Sequence, residues 1–249
     1  FNAKADTYSQ DFNGFANGTT NLGDGSVMAG TTNIQNGALE LTRDGVAGGY
    51  ASFSFPAMAG SSGGWTASFN LTITDSSGTN DPADGMSFNY GNFSLGELGS
   101  AEEGMAGVGT VSNNISFEID TWRNGDTEQG VNIAEKVNGA TNDVAFTNGR
   151  ILNDGDSVSG TVSIAFDPVN GASFTTTGLL TNANFGNIPV SFTGNDAYPF
   201  CISARVGGAN ETLLIDNLVV STVTVTPIET DGPIISEFSA DNADIIEDE

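Results

Sequence analysis

The run Ile115-Ser116-Phe117-Glu118-Ile119-Asp120-Thr121-Trp122-Arg123-Asn124-Gly125-Asp126 constrains this chain more than any other stretch. It alternates apolar and polar residues with period two, the pattern of a strand that buries one face. Ile115, Phe117 and Ile119 share one side, while Ser116, Glu118, Asp120 and Trp122 share the other. Residues two apart on a strand are separated by roughly 7 Å. Glu118 and Asp120 are therefore neighbouring like charges, with no basic residue at the interleaved positions. An Asn-Gly-Asp turn follows at once, adding oxygen donors and a sharp bend. Carboxylates gathered in this way suit a hard cation, a sugar ring or both. The plain alternative is a solvated sheet face that closes in a turn.

The remainder reads as more short strands: 38–41, 50–55, 65–73, 85–90, 130–137, 157–166, 190–192, 200–206 and 213–225. Turn clusters such as Ser76-Ser77-Gly78-Thr79-Asn80 and Asn153-Asp154-Gly155-Asp156 lie between them. Many short strands at this spacing predict an all-β sandwich or barrel. A length of 249 residues with 38% hydrophobic content suffices for one sizeable β-domain. No apolar run is long enough to predict a transmembrane helix. The opening at Phe1, in polar and turn-rich sequence, reads as a processed or excised start.

Charge and residue usage exclude several chemistries. There are 31 acidic residues against 6 basic ones, a formal net charge of -25. The basic residues are Lys4, Arg43, Arg123, Lys136, Arg150 and Arg205, too scattered to form a phosphate-binding patch. Nucleic acid and anionic membrane are therefore poor partners. Such acidity fits a salty or calcium-rich extracellular medium, and it equally fits simple solubility. With no histidine in the chain, a Ser-His-Asp triad and a histidine base are excluded, and carboxylates must carry any acid–base chemistry. The lone Cys201 permits no internal disulfide and reads as a buried apolar filler.

Composition changes near residue 224. Thr224-Val225-Thr226-Pro227-Ile228-Glu229-Thr230-Asp231-Gly232-Pro233 reads as an extended linker. Ile234-Ile235-Ser236-Glu237-Phe238-Ser239-Ala240 reads as a new strand, similar to the first strand of a bacterial immunoglobulin-like module. The expected division is a domain over 1–223, with 224–249 a linker and the start of a further module. A disordered tail is the alternative.

Three motifs in order carry a family resemblance. Glu118-Ile119-Asp120-Thr121-Trp122-Arg123-Asn124 resembles the metal-binding strand and loop of the L-type (legume-like) lectins. Ala83-Asp84-Gly85-Met86-Ser87-Phe88 resembles that family's Ala-Asp-Gly loop, whose Asp accepts sugar hydroxyls. Glu102-Glu103-Gly104-Met105-Ala106-Gly107 falls where the family has its glycine-rich sugar loop. The order Gly-Glu-Glu-Gly-like segment, Asp-Thr-aromatic segment, then Ala204-Arg205-Val206-Gly207-Gly208-Ala209-Asn210-Glu211 is similar to bacterial lectin/glucanase-like modules of multidomain secreted proteins. The likeness covers roughly residues 30–222.

The resemblance implies a concanavalin A-like antiparallel β-sandwich (jelly roll) acting as a calcium-dependent carbohydrate-binding module of a secreted or surface-attached bacterial protein. It implies carbohydrate contacts from Asp84, Gly104, Asn124 and Asn210, with aromatic stacking from Trp122 or Tyr90. It implies calcium held by Asp120, Asn124, the Trp122 carbonyl and Asp126 or Glu128, and a cis peptide between Ala83 and Asp84. Glu118 would belong to a second metal held partly by a histidine that this chain lacks, and Asn132 falls near that missing histidine, where it would accept a hydrogen bond. Implied partners are a glycan and neighbouring modules of the same polypeptide, without nucleic acid or membrane insertion. Two alternatives stand: a structural, calcium-rigidified adhesin or filament module, and a laminarinase-like glycoside hydrolase. The hydrolase needs a second carboxylate four or five residues after Glu118, where Trp122 and Arg123 stand.

Overall fold

Alternating side chains become two antiparallel sheets in the computed structural model, which describes residues 5–76, 82–105, 111–123 and 129–223. One sheet contains β1 (Thr7–Gln10), β3 (Asn33–Gln35), β4 (Ala38–Thr42), β6 (Trp65–Thr74), β11 (Ser157–Asp167), β12 (Gly171–Thr176), β13 (Asn184–Ile188) and β15 (Thr212–Thr222). Its order is β13-β12-β11-β6-β15-β4-β3, and β1 also pairs with β15. The other contains β2 (Val27–Gly30), β5 (Tyr50–Phe55), β7 (Gly85–Gly91), β8 (Asn114–Asp120), β9 (Gly130–Val137), β10 (Ala140–Asn148) and β14 (Phe200–Arg205). Its order is β10-β9-β8-β7-β14-β5-β2. The expected all-β sandwich is what forms. Residues 224–249, read above as linker and module start, lie outside the described residues.

The inward positions of both sheets make one core. Trp65 lies at its centre, with ring centroids 5.2–5.9 Å from those of Phe200, Phe88, Tyr90 and Phe117. Edge-to-face contacts with Tyr90, Phe117 and Phe200 are the favoured arrangement of aromatic quadrupoles.

The outward positions of the seven-stranded sheet depart from the simple polar-out expectation. Ser52, Ser54, Ser87, Asn89, Asn114, Ser116 and Ser203 are fully buried. They form a hydroxyl and amide layer that residues 92–105 cover. The Gly96 N–H donates to Ser54 Oγ at 2.7 Å, and the Met105 N–H donates to Ser203 Oγ at 2.7 Å. Ser87 Oγ donates to the Glu103 carbonyl at 2.8 Å. Within the layer, Ser116 Oγ and Asn114 Nδ2 both donate to Asn89 Oδ1. Phe93, Met105, Val111 and Cys201 form a small apolar cluster under this covering segment, so Cys201 is the buried filler its sequence context predicts. Most of these groups find partners, which is what makes such a layer tolerable, while Ser52 Oγ and Asn114 Oδ1 are buried without a hydrogen bond among the described residues.

Residues 190–192, expected as a strand, are not one. The Ser191 and Phe192 N–H groups instead donate to Glu135 Oε2 at 2.6 and 2.8 Å. That buried carboxylate serves the backbone where a ladder partner would have, while Phe192 packs on Tyr90 and Phe166. Glu135→Ala should therefore destabilise the protein by about 3 kcal/mol in urea unfolding, because two backbone donors lose a charged acceptor. Glu135→Gln, which keeps one acceptor oxygen, should recover part of the loss.

Candidate functional site

Register gathers the motif residues into one row across the sheet. Arg205 pairs with Tyr50 and with Gly85; Gly85 pairs with Asp120, and Asp120 with Gly130. Tyr50, Arg205 and Asp120 thus lie side by side at one end of the seven-stranded sheet, although they are far apart in sequence. Glycine is required at 85, where φ is +114° and a Cβ would sit 2.3 Å from the Ile119 carbonyl oxygen. The next outward row, two residues further along each strand, contains Ser52, Ser203, Ser87, Glu118 and Asn132.

Asp84 stands at the head of β7, and the Ala83–Asp84 peptide is cis. Its backbone N–H donates to the Arg205 carbonyl at 3.0 Å. The side chain is 9% exposed, and among the described residues its Oδ2 accepts no hydrogen bond. Arg205 Nε lies 3.7 Å from that oxygen, and the Arg205 guanidinium sits 5.6 Å from the centroid of the Tyr50 ring. Burial pushes the Asp84 carboxyl up to about 6; Arg205 opposes the rise and Glu102 adds to it. The Gly207 backbone runs beside both carboxylate oxygens, and a Cβ there would lie 3.4 and 3.6 Å from them.

The covering segment brings further carboxylates to this row. Glu102, Glu103 and Asp120 each present an oxygen within 4.8 Å of the others. Asp120 Oδ1 also accepts the Trp122 N–H at 2.9 Å, which starts the turn after β8. Burial, followed by Glu102, Asp84 and Asp143, raises Glu103 to about 7. Glu118 is pushed well above the usual carboxylate range by burial, then by Glu103 and Asp143. Asn132 Nδ2 donates to Glu118 Oε2 at 2.9 Å and to Asp143 Oδ1 at 3.1 Å. Asn132 is thus a donor between two carboxylates, where sequence reading had it accepting.

On the core side of the same strand ends, the apolar alternation gives way to polar groups. Asp75, Thr121, Gln129 and Glu211 take the inward positions, and all are buried. Thr121 Oγ1 donates to Glu211 Oε1 at 2.8 Å, whereas Glu211 Oε2 is buried without a hydrogen bond among the described residues. Burial raises Glu211 to about 8; the Thr121 bond opposes this, and the charges of Asp84 and Asp75 add to it.

The structure therefore brings together Asp84, Asp120, Trp122, Gly104 and Glu118 at or beside one sheet end. Asn124, Asp126 and Glu128 lie outside the described residues. Trp122 is half-buried. Gly104, with φ +82°, is pressed against Ser203, and its N–H and C=O both pair with Ala101. Asn210 Oδ1 accepts the Gly45 N–H at 2.6 Å, tying down the turn that follows β4. Tyr90 does not stack on anything outside: it is fully buried, and its hydroxyl donates to the Asn195 carbonyl. The exposed aromatic ring of this region is Tyr50. Sequence reading assigned no role to Tyr50, Glu102, Glu103, Arg205 or Glu211. The last four lie in motifs already visible there, but only cross-strand register shows where they meet.

Comparison with solved structures finds the same sandwich in several lectins. Winged bean acidic lectin complexed with methyl-α-D-galactose matches with a TM-score of 0.66 at 18% identity, over 90% of this chain and 100% of that one. Peanut lectin matches with a TM-score of 0.62 at 18% identity, over 90% and 100% of the two chains. The VIP36 exoplasmic/lumenal domain, in a Ca2+/Man3GlcNAc-bound form, gives 0.61 at 14% identity over 83% and 88%. No protein-family model matches the chain, and neither does any curated protein sequence. The chain has the jelly-roll fold of the legume lectins.

Glu211 gives the site a pH dependence with a defined sign. Its carboxyl binds a proton more tightly folded than unfolded, so its contribution to stability is complete below about 4.5 and is lost as pH rises towards about 8. In chelator, the wild-type melting temperature should fall between pH 5 and 8, and Glu211→Gln should flatten that fall. At pH 8 the variant should be the more stable protein. An identical pH profile for both proteins would contradict the assignment.

Proposed function

We propose that this end of the sandwich binds a carbohydrate with a calcium ion beside it, as a module of a secreted or surface-attached bacterial protein. The observation that carries the reading is the Asp84 carboxylate: buried at the sheet end, with an oxygen that accepts no hydrogen bond among the described residues. A sugar hydroxyl is the donor it lacks. Arg205 holds the carboxylate in place, and Tyr50, an exposed residue, offers the aromatic ring on which a sugar face would stack. Asn124, Asn210 and the backbone near Gly104 complete the proposed contacts.

The donor set fits a hard cation. The nearby groups are carboxylate, amide and backbone oxygens, with no histidine in the chain to favour a transition metal. Asp120, the Trp122 carbonyl, Asn124 and Asp126 or Glu128, with Glu118 behind them, are the proposed ligands. When bound, calcium would neutralise the acidic rim and order its loops. Galactose- and mannose-containing ligands occupy the winged bean lectin and VIP36 structures. Those lectins agree with a binding role, and the fold likeness says nothing about which sugar this chain takes.

A hydrolytic groove is less well supported. The sheet face around Glu118 is covered by residues 92–105, and Trp122 and Arg123 occupy the positions of the second catalytic carboxylate. Among the described residues no helix is long and apolar enough to cross a membrane.

Asp84→Asn keeps the shape of the side chain and removes its charge. On immobilised glycans in calcium, the variant should lose at least tenfold in retention, while its melting temperature stays level or rises. Chelator should release the wild type from the same matrix. Undiminished retention of Asp84→Asn would place the sugar site elsewhere on the sandwich.

A further inference from the structure

We infer that the end of the sandwich opposite Asp84 holds a second saccharide site, in a cleft between the β9–β10 turn and residues 191–198. It stands apart from the calcium-dependent reading above and shares no residue with that site. Strands β7 and β8 run from one place to the other. Gly85 pairs with Asp120 at the acidic end and Gly91 with Asn114 at this one, a separation of about 20 Å along the strands. Two sites so placed would let one molecule hold two glycan branches.

The chemistry of the walls names the ligand class. The cleft has a volume of about 270 Å³, which suits one sugar ring better than a longer chain. Asn113, Asn138, Ser191, Thr193, Asn195 and Tyr198 line it, and none of the described lining residues is charged, in a chain whose net charge is -25. Amides and hydroxyls beside one aromatic ring match a neutral polyhydroxylated ligand and offer nothing to a cation or a phosphate. Their hydrogen-bonding capacity is also unspent. The side chains of Asn138, Ser191 and Thr193 bond to no other described residue. Asn113 and Asn195 use their amide oxygens on the Asn138 and Ala197 N–H groups, at 3.1 and 2.9 Å, which leaves both amide nitrogens as donors.

The second observation is that the cleft is preformed from beneath. Buried Glu135 accepts the Ser191 and Phe192 N–H groups at 2.6 and 2.8 Å. The buried Tyr90 hydroxyl accepts the Asn195 N–H at 3.0 Å and donates to the Asn195 carbonyl at 2.8 Å. Asn138 and Gly139, with φ of +51° and +82°, make the tight turn between β9 and β10, and the Gly139 N–H donates to the Ser112 carbonyl at 2.8 Å. The Tyr198 ring is held edge-on by Tyr90, with centroids 5.8 Å apart. Two buried polar groups, Glu135 and Tyr90, thus shape a surface segment that enters no strand. Walls fixed before a ligand arrives lose little entropy when it binds. With no carboxylate among its described walls, the cleft needs no calcium. One ring in an open cleft binds at about millimolar affinity, so retention on a glycan matrix stays with the acidic rim.

Amide chemical-shift mapping of the full chain in chelator tests this, with methyl α-D-galactoside, methyl α-D-mannoside and methyl β-D-glucoside titrated separately to high millimolar concentration. At least one of the three should give saturable shifts at Asn113, Asn138, Ser191, Thr193 and Asn195, in wild type and in Asp84→Asn alike. Ser191→Ala/Thr193→Val removes two hydroxyls and keeps the N–H bonds to Glu135. It should weaken that sugar at least fivefold with an unchanged melting temperature. Asn138→Gly, which suits the turn's positive φ and deletes the amide, should weaken it as well. No saturable shift at these residues with any of the three sugars would overturn the inference, as would wild-type affinity in both variants. Repeating the titration in calcium separates the two sites. Rim shifts without cleft shifts would overturn the inference and leave the Asp84 reading standing, and cleft shifts without a rim response would do the reverse.

Discussion

Repulsion among carboxylates at one end of the sandwich is the constraint around which the rest of this structure is arranged. Asp84, Glu102, Glu103, Glu118 and Asp120 are drawn together by strand register and by the segment over the sheet. Asp75 and Glu211 approach from the core side. Charges removed from water repel more strongly than charges on an open surface, and each carries a desolvation cost of its own. A fold that must only be stable would place apolar residues at such positions. Here the aromatic core around Trp65 and the hydroxyl layer under residues 92–105 supply the stability that lets the acidic end persist.

The covered sheet face decides where function can lie. An open polar face would offer a long groove for a polysaccharide chain. Ser54, Ser87 and Ser203 instead spend their hydrogen bonds on the backbone of the covering segment. The rim, where Tyr50, Arg205 and Asp84 stand next to one another, is thereby left as the proposed place of recognition. A compact rim suits a terminal sugar or a short epitope better than an extended chain. The Arg205 guanidinium is central here: it lies over Tyr50 on one side and meets the Asp84 carboxylate on the other.

Much of the fold was legible before any coordinates, because strongly alternating segments such as 65–73 and 115–121 admit few other conformations. What escaped was weakly patterned. β10, reading Ala-Thr-Asn-Asp-Val-Ala-Phe-Thr-Asn, is a largely exposed edge strand with a bulge between Asp143 and Ala145, so its hydrophobic signal is faint. Residues 190–192 failed in the opposite way: an apolar run was anchored by Glu135 and never entered a ladder. The same logic governs the site. Motif order pointed to Asp84, Asp120 and the segment at Gly104, since local sequence carries those signals. Tyr90 was misplaced because period-two alternation does not say which face of β7 is inward. The meeting of Arg205 with Asp84, of Glu102 with Asp120 and of Glu211 with Thr121 depends on long-range pairing, which single-sequence patterns do not encode.

The central claim is that a sugar binds at the acidic rim beside Arg205 and Tyr50. Backbone amide chemical-shift mapping of the calcium-loaded protein, titrated with a glycan that it retains, tests it most directly. The account predicts saturable shifts concentrated at Tyr50, Asp84, Gly85, Arg205 and Gly207. Shifts confined to the outer face of the eight-stranded sheet, around Ser68 and Ser163, would contradict it.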